Sequence, residues 1–174
     1  DFDAAEMVGA PLPEEVPVAE TLKVPEPLGL RQQLSTNSKV YRVHWTQPDK
    51  FLRSTNKNAV SPSFQIYGAD WKLVLAADAP GRGDASFKVS KGRCSMKLKC
   101  ENMSEDTTAL TIMFRFFAGD MPVRGPAMHD FKNGTALAGL KRNDEAWDLL
   151  MQVKDMKVTV GVELWEVAYE DQGQ

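Results

Sequence analysis

The residues that could carry chemistry in this chain are few and widely spaced. Its histidines are His44 and His129 and its cysteines Cys94 and Cys100, and a metal or thiol-redox centre needs more such ligands close together. The cysteines lie in RCSMKLKC, a cleanly alternating stretch. As one strand it puts Cys94, Met96, Leu98 and Cys100 on one face, with the sulfurs about 20 Å apart at roughly 3.3 Å per residue, too far to bridge. They read as buried free thiols acting as small hydrophobes. His44, alone among polar-face neighbours, reads as structural or as a surface residue. His129-Asp130 and Asp144-Glu145-x-x-Asp148 hold groups suited to acid–base work, but neither has a nucleophile at a recognisable spacing. Acids in the first turn of a helix are expected from the dipole alone. Arg82-Gly83-Asp84, an adhesion-receptor tripeptide, follows Pro80-Gly81 and reads as a charged turn. The expectation is a chain that is not an enzyme and holds no cofactor and no metal.

The elements that position these residues are mostly strands. In SPSFQIYGADWKLVLA, Phe64 to Ile66 and Trp71 to Leu75 read as a hairpin joined at Tyr67-Gly68-Ala69-Asp70, with Trp71, Leu73 and Leu75 on one face. Before it, KVYRVHW alternates Tyr41, Val43 and Trp45 with Arg42 and His44, and Thr46 to Val60 reads as a long loop into which Phe51 and Leu52 tuck. After it, Phe87 to Val89 reads as a short extension. The Cys94 to Cys100 strand turns Ser95, Lys97 and Lys99 outward, as suits a solvent-facing or edge position. LTIMFRFF is apolar on both faces and reads as a central or covered strand. Met128 to Phe131 reads as a short strand, Asn133-Gly134 as a turn and Leu137 to Arg142 as irregular. Asn143 caps an expected helix from Asp144 to Gln152, with Trp147, Leu150 and Met151 on its apolar face. KVTVGVELWEV is the clearest strand of all. Seven to eight short strands without βαβ spacing predict an all-β chain, an antiparallel β-sandwich with one short helix.

Composition divides the chain of 174 residues into an acidic, Pro-rich extended tail over 1–38, the sandwich over 39–168 and a short C-terminal tail over 169–174. Residues 1 to 34 hold five of the ten prolines and seven acids against Lys23 and Arg31, a net −5 within a chain of formal charge −3, so the body carries about +2. Sparse apolar residues punctuated by proline cannot build a core. Such a tail gains order only against the body of its own chain or a partner. A near-neutral body without Lys/Arg clusters is poor ground for nucleic-acid binding. No apolar run approaches the roughly 20 residues of a transmembrane helix, although a membrane complex remains a possible host. The acidic start at Asp1 leans towards an organelle lumen after removal of a targeting peptide, with the cytoplasm as alternative.

The order of landmarks carries a resemblance. The first strand ending in Trp45, Ser61-Pro62-Ser63-Phe64, Gly68-x-x-Trp71-Lys72-Leu73, the Lys/Leu strand after Gly92, His129-Asp130-Phe131, and Val153-Lys154-Asp155 leading into Val158-Thr159-Val160 together resemble the MATH domain, the C-terminal fold of tumour-necrosis-factor-receptor-associated factors and meprins, over about residues 39 to 167. The resemblance implies an eight-stranded antiparallel sandwich that binds extended peptides along one sheet without cofactor or catalysis. The expected function is a non-catalytic interaction or scaffold module, a peripheral structural subunit of a larger multi-subunit assembly whose tail docks on a partner protein. A peptide-binding adaptor is the alternative and an enzyme the third reading. Partner-facing candidates are Pro11, Pro13, Pro17, Leu22, Pro25, Pro27 and Leu28 in the tail, and Lys97 and Lys99 in the body.

Overall fold

The computed structural model describes residues 27–35, 38–81, 83–140 and 146–167. They form two antiparallel sheets packed face to face. Sheet A consists of β1 (Gly29–Leu34), β2 (Tyr41–Pro48), β7 (Thr111–Ala118), β8 (Arg124–Asp130) and β11 (Lys157–Glu166), in the spatial order β1-β2-β11-β7-β8. Sheet B is built on a long central pair, β5 (Ala69–Ala77) and β6 (Arg93–Met103). Against β5 lie β3 (Asn58–Val60) and β4 (Phe64–Ile66). Against β6 lie β9 (Leu137–Gly139) and β10 (Trp147–Asp148). The all-β antiparallel sandwich is therefore as expected, though short segments raise the described strands to eleven.

The core follows from the period of two. On sheet A, Val43, Val162 and Phe116 stand opposite one another across three strands. On sheet B, Trp71, Leu73 and Leu75 stand opposite Cys100, Leu98 and Met96. All are buried in one cluster between the sheets. Trp71 is fully buried, donates its indole N–H to the Ile66 carbonyl at 2.9 Å and meets Phe131 edge-on at 4.9 Å. The hairpin turn is tighter than the sequence suggests. Only Tyr67 and Gly68 are in it, with φ of 57° and 69°, the pair of positive values that lets a two-residue turn follow the strand twist.

Several expectations need correction. Gly29–Leu34, assigned by composition to the tail, is the edge strand β1, fully paired with β2. Pro27 is the last proline before it, so GLRQQL can donate to a ladder without interruption. Phe87 to Val89 is not extended. Phe87–Ser90 is a one-turn helix, α1, because Ser86 accepts from the Val89 N–H at 3.2 Å and Lys91, at φ 57°, closes the other end. The expected helix up to Gln152 is replaced by β10 and a 3-10 turn, Leu149–Gln152, while 143–145 lie outside the described residues. Trp147 and Leu149 are buried whereas Leu150 and Met151 are exposed, so the apolar face expected at helical spacing does not form. Leu137 to Gly139, read as irregular, is β9, and β8 begins at Arg124, earlier than the Met128 expected. In the loop after β2, Leu52 is buried as expected, within a 3-10 turn, Asp49–Arg53.

The cysteines are free and buried. Burial pushes the Cys94 thiol from an ordinary 9.0 up to about 12, with Asp78 and Asp148 adding to it, and burial also raises Cys100. A thiol reagent at pH 8 is therefore expected to leave both unmodified in the native chain and to modify both in denaturant; prompt native labelling would contradict their burial. A folded-state pKa raised in this way keeps its stability contribution below pH 9.0 and loses it as pH rises towards 12.

Candidate functional site

Of the groups suited to acid–base work, the His129-Asp130 pair lies wholly among the described residues. His129 bonds the Thr135 carbonyl at 2.7 Å and meets Phe131 edge-on. Burial works against the neighbouring Asp130 carboxylate, but hydrogen bonds from Asn133 and from the Leu110 and Lys132 backbone N–H groups hold it below the ordinary range. The pair organises the turn after β8. Of the acidic cluster, Asp148 lies in β10 and Asp144 and Glu145 lie outside the described residues. Among the described residues no group of three or more His, Cys, Asp or Glu is placed to hold a metal, and no helix is long and apolar enough to cross a membrane.

The partner-facing candidates that lie among the described residues are not brought together. Pro11, Pro13, Pro17, Leu22 and Pro25 lie outside the described residues. Pro27 and Leu28 are exposed just ahead of β1 on sheet A. Lys97 and Lys99 are exposed on the outer face of sheet B. They are solvent-facing as expected but not at an edge, since β6 is paired on both sides. Lys72 stands directly opposite Lys99 and is drawn towards Glu101, 3.3 Å away.

The strongest concentration of polar chemistry lies where the sequence reading placed only a polar strand face, on the outer side of sheet A. Arg42, Glu163 and Arg115 form one rung across β2, β11 and β7. Both arginines are 5% exposed and Glu163 is 2% exposed. Glu163 accepts from Arg42 Nη1 through one oxygen and from Arg115 Nε at 2.5 Å through the other. Arg42 Nε also donates to His44 Nε2 at 2.9 Å. The next rung is His44, Gly161 and Phe117. A Cβ on Gly161 would run into the Phe117 ring and the Val43 carbonyl, so glycine is what lets this ring lie over β11. The ring in turn carries the Arg42 guanidinium 4.7 Å from its centre and meets His44 edge-on at 5.3 Å. Beyond it Thr46 and Thr159 share a hydroxyl hydrogen bond of 2.7 Å. On the other side of the ionic rung, Trp165 stands opposite Met113, with the Arg115 guanidinium 5.3 Å from its ring centre.

This face has two unusual properties. Its residues on β2, β7 and β11 are buried apart from the half-buried His44 and Lys157 and the exposed Pro48 at the end of β2, while on the flanking strands Arg31, Gln33 and Met128 are exposed. The burial is a strip about three strands wide, and no described element is stacked over it. Within the strip, Arg115 Nη2, Trp165 Nε1 and Thr111 Oγ1 are buried with no hydrogen-bond partner. Donors of this kind cost roughly 1 to 3 kcal/mol each if left unmet. Among the described residues, two guanidiniums against one carboxylate leave the rung net positive. The strip can therefore accept a chain segment bringing carboxylate and carbonyl oxygens, with apolar side chains for Met113, Phe117 and Trp165.

The signal for this site was one lone charge in each of three apolar strands, VYRVHW, IMFRFF and VGVELW, two positive and one negative. Only the register puts the three on one rung. A second concavity, a cleft of about 490 Å3 at the open end between the sheets, is lined by Gln32, Tyr41, Gln65, Tyr67, Asp70 and Asn102 among others. Gln32 already spans it to the Gln65 carbonyl at 3.1 Å, and none of the buried unpartnered donors lines it. Compared with known proteins, the chain matches no protein-family model, and no curated protein matches it significantly.

Proposed function

We propose that this chain is a non-catalytic protein-interaction module, MATH-like in organisation, that seats an extended acidic segment on the outer face of sheet A and serves as a peripheral subunit of a larger protein assembly. The observation that carries this reading is the buried Arg42–Glu163–Arg115 rung, with unmet Arg115 and Trp165 donors beside it. A carboxylate laid against Arg115 Nη2 gains a charge-assisted hydrogen bond in a water-poor setting, and a backbone carbonyl suits the indole N–H. An extended segment offers both at short intervals, together with alternate side chains for the apolar positions. Such a module needs no cofactor, and its partners are proteins.

The test is a titration of the protein with a synthetic acidic peptide that has valine and proline between its carboxylates, followed through the Trp165 indole N–H resonance. A saturable shift is expected at or below millimolar peptide. Arg115→Lys keeps the charge but loses the planar fork, so it is expected to weaken binding by about tenfold or more. No saturable shift at millimolar peptide would sink the proposal.

A further inference from the structure

The covered strip raises the question of what occupies it, and this step rests on the reading just given. We propose that its resident occupant is the chain's own acidic N-terminal segment, residues 1–26, laid in cis across the Arg42–Glu163–Arg115 rung, so that any outside partner must displace it.

Charge, reach and composition converge on this segment. Residues 1–26 carry seven acids and one base, Lys23, opposite a net-positive strip. The segment leads directly into β1, the edge strand of the same sheet, whose Gly29 pairs with Thr46 of β2. It therefore starts one strand away from the strip. Five strands at about 4.8 Å spacing make a sheet roughly 20 Å wide, whereas 26 residues in extended or polyproline form reach about 80 Å. The segment can cross the strip and turn back. Met7, Val8, Leu12, Val16, Val18 and Leu22 supply apolar side chains between the acids, as Met113, Phe117 and Trp165 require. Its prolines suit a segment that lies on a sheet face rather than adding to a ladder. The remaining undescribed stretches fit less well. Residues 141–145 connect β9 to β10 on the other sheet, and 168–174 are seven residues with two acids.

A tethered occupant competes at an effective concentration in the millimolar range. Outside partners then bind this face by outcompeting the segment.

The experiment uses the full chain with a nitroxide on Leu12→Cys or, in a separate sample, Leu22→Cys; the native cysteines are buried and stay unlabelled. Loss of the Met113 methyl and Trp165 indole signals, independent of protein concentration, is the expected result for at least one label. Retention of both signals with both labels would overturn the proposal. So would signal loss that appears only when labelled chains are mixed with unlabelled isotope-enriched chains, since the occupant would then be a second copy. A companion arm adds the acidic peptide to the Glu14→Gln, Glu15→Gln, Glu20→Gln chain. Peptide affinity is expected to rise about tenfold over the parent, and an unchanged affinity argues against cis occupancy. Peptide binding without signal loss refutes only the cis occupant, whereas absence of both refutes the interaction face as well.

Discussion

Glu163→Gln is expected to destabilise the fold by about 3 to 5 kcal/mol, because it leaves Arg42 and Arg115 buried without their shared counter-charge. The size of the loss reflects the removal of a carboxylate shared by two buried guanidiniums more than the strength of the original pairs. Desolvating the three charges has already consumed most of their Coulombic attraction. Replacing all three together, Arg42→Met, Glu163→Leu and Arg115→Met, is accordingly expected to recover most of that stability. Urea unfolding of the two variants beside the parent decides the matter. A single variant within about 1 kcal/mol of the parent would mean that water reaches the rung, and the strip would then be an ordinary wet sheet face. The apolar triple variant would also separate folding from recognition, since it keeps the sheet but removes the charge that an acidic segment needs.

Trp71→Ala is expected to cost a similar 3 to 5 kcal/mol for a different reason, the cavity left where the largest fully buried side chain stood. The loss includes the edge-on contact with Phe131 and the indole N–H bond to the Ile66 carbonyl. In a chain of this size the melting temperature is expected to fall by roughly 6 to 20 °C. Met151→Ala is the matched control: at 75% exposure it is expected to change stability by no more than about 0.5 kcal/mol. A parent-like melting temperature for Trp71→Ala would mean that this face of β5 is not core.

How much was legible in the sequence depended on whether one strand or several had to be read. Period-two patterning located β5, β6, β7 and β11 and their inward residues, because alternation is a property of a single strand. It failed at Phe87 to Ser90 and at Trp147 to Gln152, where segments of four and six residues allow either periodicity and a serine cap or a cross-strand pair decides. It missed β1 because GLRQQL has no apolar alternation, its pairing being carried by the backbone alone. The candidate site was the least visible. Arg42, Arg115 and Glu163 each look like a solvated residue in their own strand, and only antiparallel registers spanning most of the chain align them.

Those registers also bear on how the chain is made. Strand β11 lies in the middle of sheet A, between β2 and β7, and joins Arg42 to Glu163 across 121 residues. During synthesis β2 and β7 leave the ribosome with no strand between them, and their apolar edges stay open until residues 157 to 166 emerge. The central β5–β6 pair of sheet B, near neighbours in sequence, can form much earlier. The nascent chain thus passes through an interval with the core of one sheet formed and an unfilled slot in the other, when a strand from another nascent chain is its most dangerous competitor.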